Sequence, residues 1–316
     1  METTVWGIEF PETAEFDVVG FGLNAVDHLC FVSEYPRRDT KPRVDRFERS
    51  PGGQAASAMV VCSRLGLRAK YVGKVGGDET GAFSLQSIRS EGVDTEDVAV
   101  VPGVTNQLAM IIVDSSTGER TILWHRPAEI ATTPEEVTTE KVAGGRALLI
   151  DGHDAPAAAR AAALARERGI PVVLDAESVK EGTAEVVANT DILIASRDFP
   201  RAFTGASDLE RAFDELRAAG PRVVGATLGS IGAVVMVADG SVVASPAYRV
   251  DVADTTGAGD VFHGAFLYGL LAGWSVDRTL AFSNAAAALN CTAAGARGGV
   301  SGVNDVLGLM ERGPGW

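Results

Sequence analysis

Positive charge is in short supply in this 316-residue chain: 28 Lys and Arg stand against 42 Asp and Glu, a formal net charge of −14. Nucleic acids and anionic membranes select for basic faces, so neither is expected as a partner. A nucleotide is not excluded, because local backbone N–H groups can hold a phosphate inside an acidic protein. Cysteine is equally sparse. Cys30, Cys62 and Cys291 lie far apart within apolar stretches, which reads as reduced, buried thiols and not as a disulfide frame. Neither they nor the four histidines show zinc-ligand spacing. No apolar run has the length that crosses a bilayer. The acidic start METTVWGIEFPETAEF lacks the charged-then-apolar pattern of a secretory leader. The expectation is a soluble, cytoplasmic protein.

What is present is an ordinary globular composition, 46% apolar and 22% charged, with 36 glycines. Short apolar runs alternate with Ala-rich helical stretches. Phe16–Phe21, Ala69–Val75, Arg146–Ile150, Pro171–Leu174, Asp191–Ile194 and Arg222–Thr227 predict strands. Gln54–Leu65, Glu79–Glu91, Ala155–Arg168 and Leu209–Ala218 carry helical spacing. Such alternation predicts an α/β fold on a largely parallel sheet. From Phe262 to Asn290 the chain predicts two helices hinged at Gly273-Trp274. Two stretches, about residues 30–50 and 98–124, lack the helical repeat and read as β-like. They predict a small second sheet acting as a lid, a flap or a dimer interface on a single domain spanning 1–316.

The strongest chemical signal is Asp254-Thr255-Thr256-Gly257-Ala258-Gly259-Asp260, led in by the strand-like YRVDVAD and followed by the apolar helix former VFHGAFLYGLLAG. Small residues at a helix start leave its first N–H groups open, and the helix dipole favours an anion there. Asp260 falls in the first turn beside that anion, where a carboxylate can accept the proton of an attacking hydroxyl. A second glycine turn, Ser50-Pro51-Gly52-Gly53-Gln54, opens the helix to Leu65 and exposes donors for substrate hydroxyls. A third loop, Thr227-Leu228-Gly229-Ser230-Ile231-Gly232, follows a strand, where α/β folds receive ligands. Gly20-Phe21-Gly22-Leu23-Asn24-Ala25 fits a dinucleotide fingerprint, but VDHLCFVSEYPRRDTKPR is too short and proline-broken for the βαβ unit that reading requires.

Together these residues resemble the ribokinase-like (pfkB) carbohydrate kinases over most of the chain, through SPGGQAASAMVVCSRLGLRAKYVGKVGGDETG from Ser50 and DTTGAGDVFHGAFLYG from Asp254. The resemblance implies a three-layer α/β sandwich with a β-sheet lid, and transfer of phosphate from ATP, with Mg²⁺, to a primary hydroxyl of a sugar. It implies Asp260 as catalytic base and Gly257, Ala258 and Gly259 as the anion hole. It also implies Asp27, Gly52, Gly53 and Gln54 on the sugar side, and Thr227, Gly229, Gly232 and Asn284 around the nucleotide. Asp254 matches a position that helps bind a monovalent cation, which implies potassium activation.

The family's N-x-x-E motif is replaced by Ser196-Arg197-Asp198-Phe199, with Asp175 and Glu177 as candidate substitutes. EYPRRDTKPR and GERTILWHR resemble the ketohexokinase-like branch, which includes sulfofructose kinases. That branch implies a ketose such as fructose or a derivative as substrate, Asp39 reaching a neighbouring subunit's sugar site, and a homodimer through the lid. A nucleoside kinase of the same fold, or a non-catalytic sugar- or nucleotide-binding regulator, are the other classes the residues allow.

Overall fold

The structure is a computed structural model that describes residues 6–117 and 120–315. The chain lays down strand β1 (Phe16–Phe21), then leaves for β2 (Ala25–Val32) and β3 (Arg46–Gly52). Helix α1 (Gln54–Arg64) leads back to β4 (Ala69–Val72); β5 (Lys74–Gly76), α2 (Glu79–Arg89), β6 (Ala99–Val101), β7 (Leu108–Asp114) and β8 (Arg120–His125) follow. After the short α3 (Thr139–Val142) the chain alternates regularly. It runs through β9 (Gly145–Ile150), α4 (Ala155–Glu167), β10 (Val172–Ala176), α5 (Thr183–Ala188) and β11 (Ile192–Ser196) to α6 (Phe199–Thr204), α7 (Leu209–Ala219) and β12 (Val223–Thr227). The hairpin β13 (Gly232–Met236) and β14 (Val242–Pro246) precedes three helices, α8 (Ala258–Leu271), α9 (Val276–Asn290) and α10 (Val303–Arg312).

The eight-stranded sheet has the order β14-β13-β12-β11-β10-β9-β1-β4, parallel from β4 to β12 and antiparallel only at the β13 and β14 edge. Its central strands are apolar on both faces, as helices on both sides demand. Val18, Leu149 and Val173 pack with residues of α1 and α8, while their chain neighbours Val19, Leu148 and Leu174 pack with α4. This is the expected ribokinase-like α/β fold. The strand order reverses direction at β1, whose neighbours β4 and β9 lie on opposite sides. A crevice therefore opens beyond its carboxyl end.

A smaller sheet of order β3-β2-β7-β8 stands apart from the main one. It begins at Ala25, earlier than the stretch expected from residue 30. Ala99–Val101 is not part of it and pairs with Lys74–Gly76. The strand expected over Ala69–Val75 breaks at Gly73, where a side chain would collide with the Tyr71 hydroxyl group and the Gly22 carbonyl. Gly118 and Glu119, within the β-like stretch expected over about 98–124, lie outside the described residues.

One sequence expectation fails: YRVDVAD is not a strand, since 247–252 have no regular structure. Pro246 ends β14 with no N–H to offer, and Tyr248 and Val250 instead pack beneath α9 and α10.

Candidate active site

The start of α8 is built by one glycine. Gly257 is left-handed (φ 71°), and a Cβ on it would lie 2.5 Å from Ala296 Cα, so no other residue fits without moving the chain. No side chain caps this helix. Ala258 N donates to Thr255 O and Val261 N to Gly257 O. The amides of Gly259 and Asp260 are left with no acceptor among the described residues. Gly259 faces open space, with nothing within 4 Å of an added Cβ. The turn thus presents bare N–H donors and a positive dipole end.

Those donors open into a cleft of about 1380 Å³ lined by Thr227, Gly229, Gly232, Ala258, Gly259 and Asn284. The structure therefore gathers the expected nucleotide residues and the outer part of the expected anion hole into one cavity. Gly229 (φ 63°) and Gly232 (φ 118°) make the turn after β12. Asn284 is buried and donates from Nδ2 to Ser245 O (2.9 Å) and Pro246 O (3.2 Å), bracing the cavity wall. Arg120 of β8 reaches over the same cleft and donates from Nη1 to Thr255 Oγ1 at 2.6 Å.

Asp260 stands behind the turn and is partly accessible. Desolvation, then the charges of Asp175 and Glu177, push its carboxyl well above the ordinary range, against the pull of His263 and Arg297. Asp175, the penultimate residue of β10, is buried and is pushed up for the same first reason and by Asp151 and Glu177. His263 lies one turn into α8, with Nδ1 2.8 Å from Gly259 O and 3.4 Å from Asp175 Oδ2, and Nε2 3.2 Å from Ile194 O. Burial lowers its pKa, while both carbonyls and Asp260 oppose that.

On the other side, Asp27 of β2 is buried, with the neutral Ser50 and Ala109 paired to it across its strands. Burial pushes its carboxyl up to about 6, with Arg297 pulling it down and Asp254 pushing it up. Gly52 lies against it, an added Cβ falling 2.5 Å from Asp27 Oδ2. Gly53 (φ 93°) caps α1, its Cβ position 2.6 Å from Asn24 Cα. Helices α1 and α8 therefore start on the same site and pack closely, Gly264 lying against Val61 and Ala58. Gln54 turns inward and hydrogen-bonds Asp175. Asp39 occupies an exposed turn at φ 60° between β2 and β3, and among the described residues no hydrogen bond ties it to Asp27.

Asp254 is buried and braces two turns: Oδ1 accepts from Thr256 N (2.9 Å) and Thr256 Oγ1 (2.8 Å), and Oδ2 from Gly295 N (2.9 Å). All three donors are neutral. In place of N-x-x-E, Arg197 hydrogen-bonds the Leu228 carbonyl of the loop expected to meet a nucleotide.

Four residues of the site escaped the sequence reading: Arg120, Asp151, His263 and Arg297. Asp151 is buried beyond β9 and accepts from Leu23 N (2.6 Å) and His153 N (2.9 Å), pinning the loop that leads into β2. An acid directly after an apolar strand, as in LLID, is the signal that marks it. Arg297 sits in a glycine-rich loop with no local signal at all.

Residues 16–301 match the model of the pfkB family carbohydrate kinases. A 5-dehydro-2-deoxygluconokinase of Shouchella clausii is 28% identical, covering 96% of this chain and 98% of that one. An ATP-dependent ribose-1-phosphate kinase of Halopiger xanaduensis is 30% identical over 84% of this chain and 88% of its own. Among solved structures, a ribokinase-like protein from Agrobacterium tumefaciens superposes with a TM-score of 0.86 at 28% identity, over 93% and 97% of the two chains. A ribokinase-like protein from E. coli, solved with ATP and Mg²⁺, has a TM-score of 0.83 at 22% identity, over 94% and 99%.

Proposed function

Because the chain belongs to the pfkB family of carbohydrate kinases and is a sugar kinase, we propose that it moves the γ-phosphoryl group of ATP onto the primary hydroxyl of a ketose-type sugar, with Asp260 as general base. One observation carries this reading. The uncapped start of α8 opens at the inner end of the large cleft, with a carboxylate directly behind it. The cleft has room for a nucleotide on the Thr227, Gly229, Gly232 and Asn284 side. Its phosphates then meet the amides of Gly259 and Asp260.

Asp27, with Gly52 and Gly53, grips the sugar's hydroxyls from the opposite side. Asp260 accepts the proton of the attacking hydroxyl, and its raised pKa strengthens it as a base. The open amides bear the charge that grows on the transferred phosphoryl group. Asp175 and Glu177 are the carboxylates that would face the Mg²⁺ accompanying ATP, which would neutralise part of that charge. Asp254 suits a monovalent cation, because it is a buried carboxylate whose hydrogen-bond donors are all neutral.

The smaller sheet is the lid of this reading. Arg120 links it to the phosphate turn, and closure over the sugar excludes water. Its outward face exposes Phe47, Met110 and Leu123, which supports a homodimer through the lid. The sugar itself belongs to a class in which a carbonyl neighbours the reacting hydroxymethyl group. Fructose fits that class, and so does a 5-dehydro sugar acid, whose C5 carbonyl adjoins C6.

A coupled ADP-release assay tests the proposal on a panel of fructose, 5-dehydro-2-deoxygluconate, ribose, ribose 1-phosphate, adenosine, inosine and cytidine. Turnover highest on the two ketose-type compounds is expected. Turnover confined to nucleosides, or none on any member with ATP and Mg²⁺ present, would refute it.

A further inference from the structure

Arg297 lies between α9 and α10, buried, at 6% exposure. Its guanidinium donates from Nη2 to Gly52 O (2.8 Å), from Nε to Ser57 Oγ (3.0 Å) and from Nη1 to Ser87 Oγ (3.2 Å). All three acceptors are neutral, and among the described residues no carboxylate stands within ion-pair distance. Burial draws its pKa down to about 10, still far above neutrality. A full positive charge is thus carried into the interior without a partner, which is unfavourable unless nearby charges offset it.

The acids that act on it are Asp260, Asp27 and Glu91. Glu91 is already engaged by Arg64, whose Nε donates to Oε2 at 2.9 Å. The two carboxylates left are those of the candidate active site. Gly52 joins one of them to the arginine: its carbonyl accepts from Arg297, and its α-carbon is covered by Asp27. The same guanidinium ties β3, α1 and α2 together at the sugar side.

We propose that Arg297 is a positioning residue of the phosphoryl-transfer site, one that fixes the Gly52 carbonyl and supplies the positive charge that keeps Asp27 an anion able to accept sugar hydroxyls. It does not touch substrate. The proposal rests on the reading of Asp27 as the sugar's acceptor, and its test is separable from that reading.

The charged groups facing Asp27 are Arg297, which lowers its pKa, and Asp254, which raises it; burial raises it most. Its cross-strand partners Ser50 and Ala109 are neutral. Loss of Arg297 therefore leaves only upward influences, and Asp27 holds its proton closer to neutral pH. A protonated Asp27 offers one O–H donor where two acceptor oxygens stood.

The experiment is a ¹³C NMR titration of the side-chain carboxyls in the full chain, without sugar or nucleotide, with Asp27→Asn assigning the resonance. In Arg297→Gln the Asp27 midpoint is expected to rise by about one pH unit, the size of a lost neighbouring charge. In Arg297→Lys, which keeps the charge, it stays within about 0.3 unit. A folded Arg297→Gln with an unmoved midpoint overturns the proposal, as does a rise in Arg297→Lys equal to that in the glutamine variant. Should Arg297→Gln fail to fold, Arg297→Met takes its place as the uncharged variant: a raised midpoint supports the proposal and an unmoved one overturns it. An unchanged KM for the best sugar in Asp27→Asn would instead remove Asp27 as sugar ligand, a failure of the functional reading and not of the titration.

Discussion

Replacing Asp260 by Asn removes one proton acceptor and little else. The donors that would hold the phosphate are backbone amides set by Gly257, and Asn matches Asp in volume, so helix and cleft remain. ATP KM should stay within about twofold of wild type. A positioned general base is worth about 10²–10⁴ in rate, or roughly 3–5 kcal/mol of barrier, so kcat should fall by that factor. Stability should move the other way. The folded pKa of Asp260 is raised from 3.8 by desolvation and by Asp175 and Glu177. Its contribution to stability is thus fully present below 3.8 and is lost as pH rises through the folded value. Asn cannot ionise and avoids that loss, so the variant's Tm should exceed wild type at pH 7 and match it near pH 3. The coupled ADP assay and a thermal melt at both pH values check this. Near-normal kcat, or a tenfold rise in ATP KM with kcat intact, would refute Asp260 as base.

Gly257→Ala should destabilise the fold by about 2–4 kcal/mol, through left-handed strain and collision with Ala296. Gly259→Ala, whose Cβ meets nothing, should melt within a few degrees of wild type yet raise ATP KM about tenfold by standing in the cleft; melting curves beside ATP titrations separate the two. Asp27→Asn should raise sugar KM about 10- to 100-fold through lost charge-assisted hydrogen bonds. With a folded pKa of about 6 against 3.8, it should also remove a loss of stability that sets in across that window as pH rises, visible in Tm against pH. Arg120→Ala should raise ATP KM about tenfold with the melting temperature unchanged, since among the described residues the Arg120 side chain hydrogen-bonds the Thr255 hydroxyl group alone, across the cleft.

Local chemistry was legible in the chain because it depends on near neighbours. Gly257 must be glycine for its own φ, Asp260 must fall in the first turn of whatever helix follows, and the two-sided apolar runs of β1, β9 and β10 belong to a parallel sheet in any arrangement. The hinge at Gly273-Trp274 is equally local, with α8 ending at Leu271 and α9 starting at Val276. The lead-in YRVDVAD was misread because alternation alone does not say whether a strand partner is there. Pro246 and the packing of Tyr248 and Val250 decided otherwise.

Long-range electrostatics belonged to the tertiary structure alone. Arg297 stands 245 residues from Gly52 and 240 from Ser57, and nothing in ARGG announces a guanidinium behind the proposed sugar side of the site. Likewise Asp175 becomes a neighbour of Asp260 and His263 only once β10 lies under α8. Composition and spacing determined the fold class, the glycine turns and the place of the candidate base, because backbone conformation and helix ends are properties of a few consecutive residues. Which charges face one another, and so which carboxylate is anionic at neutral pH, was decided by packing, because Coulomb interactions depend on distance in space and on the water excluded between the groups.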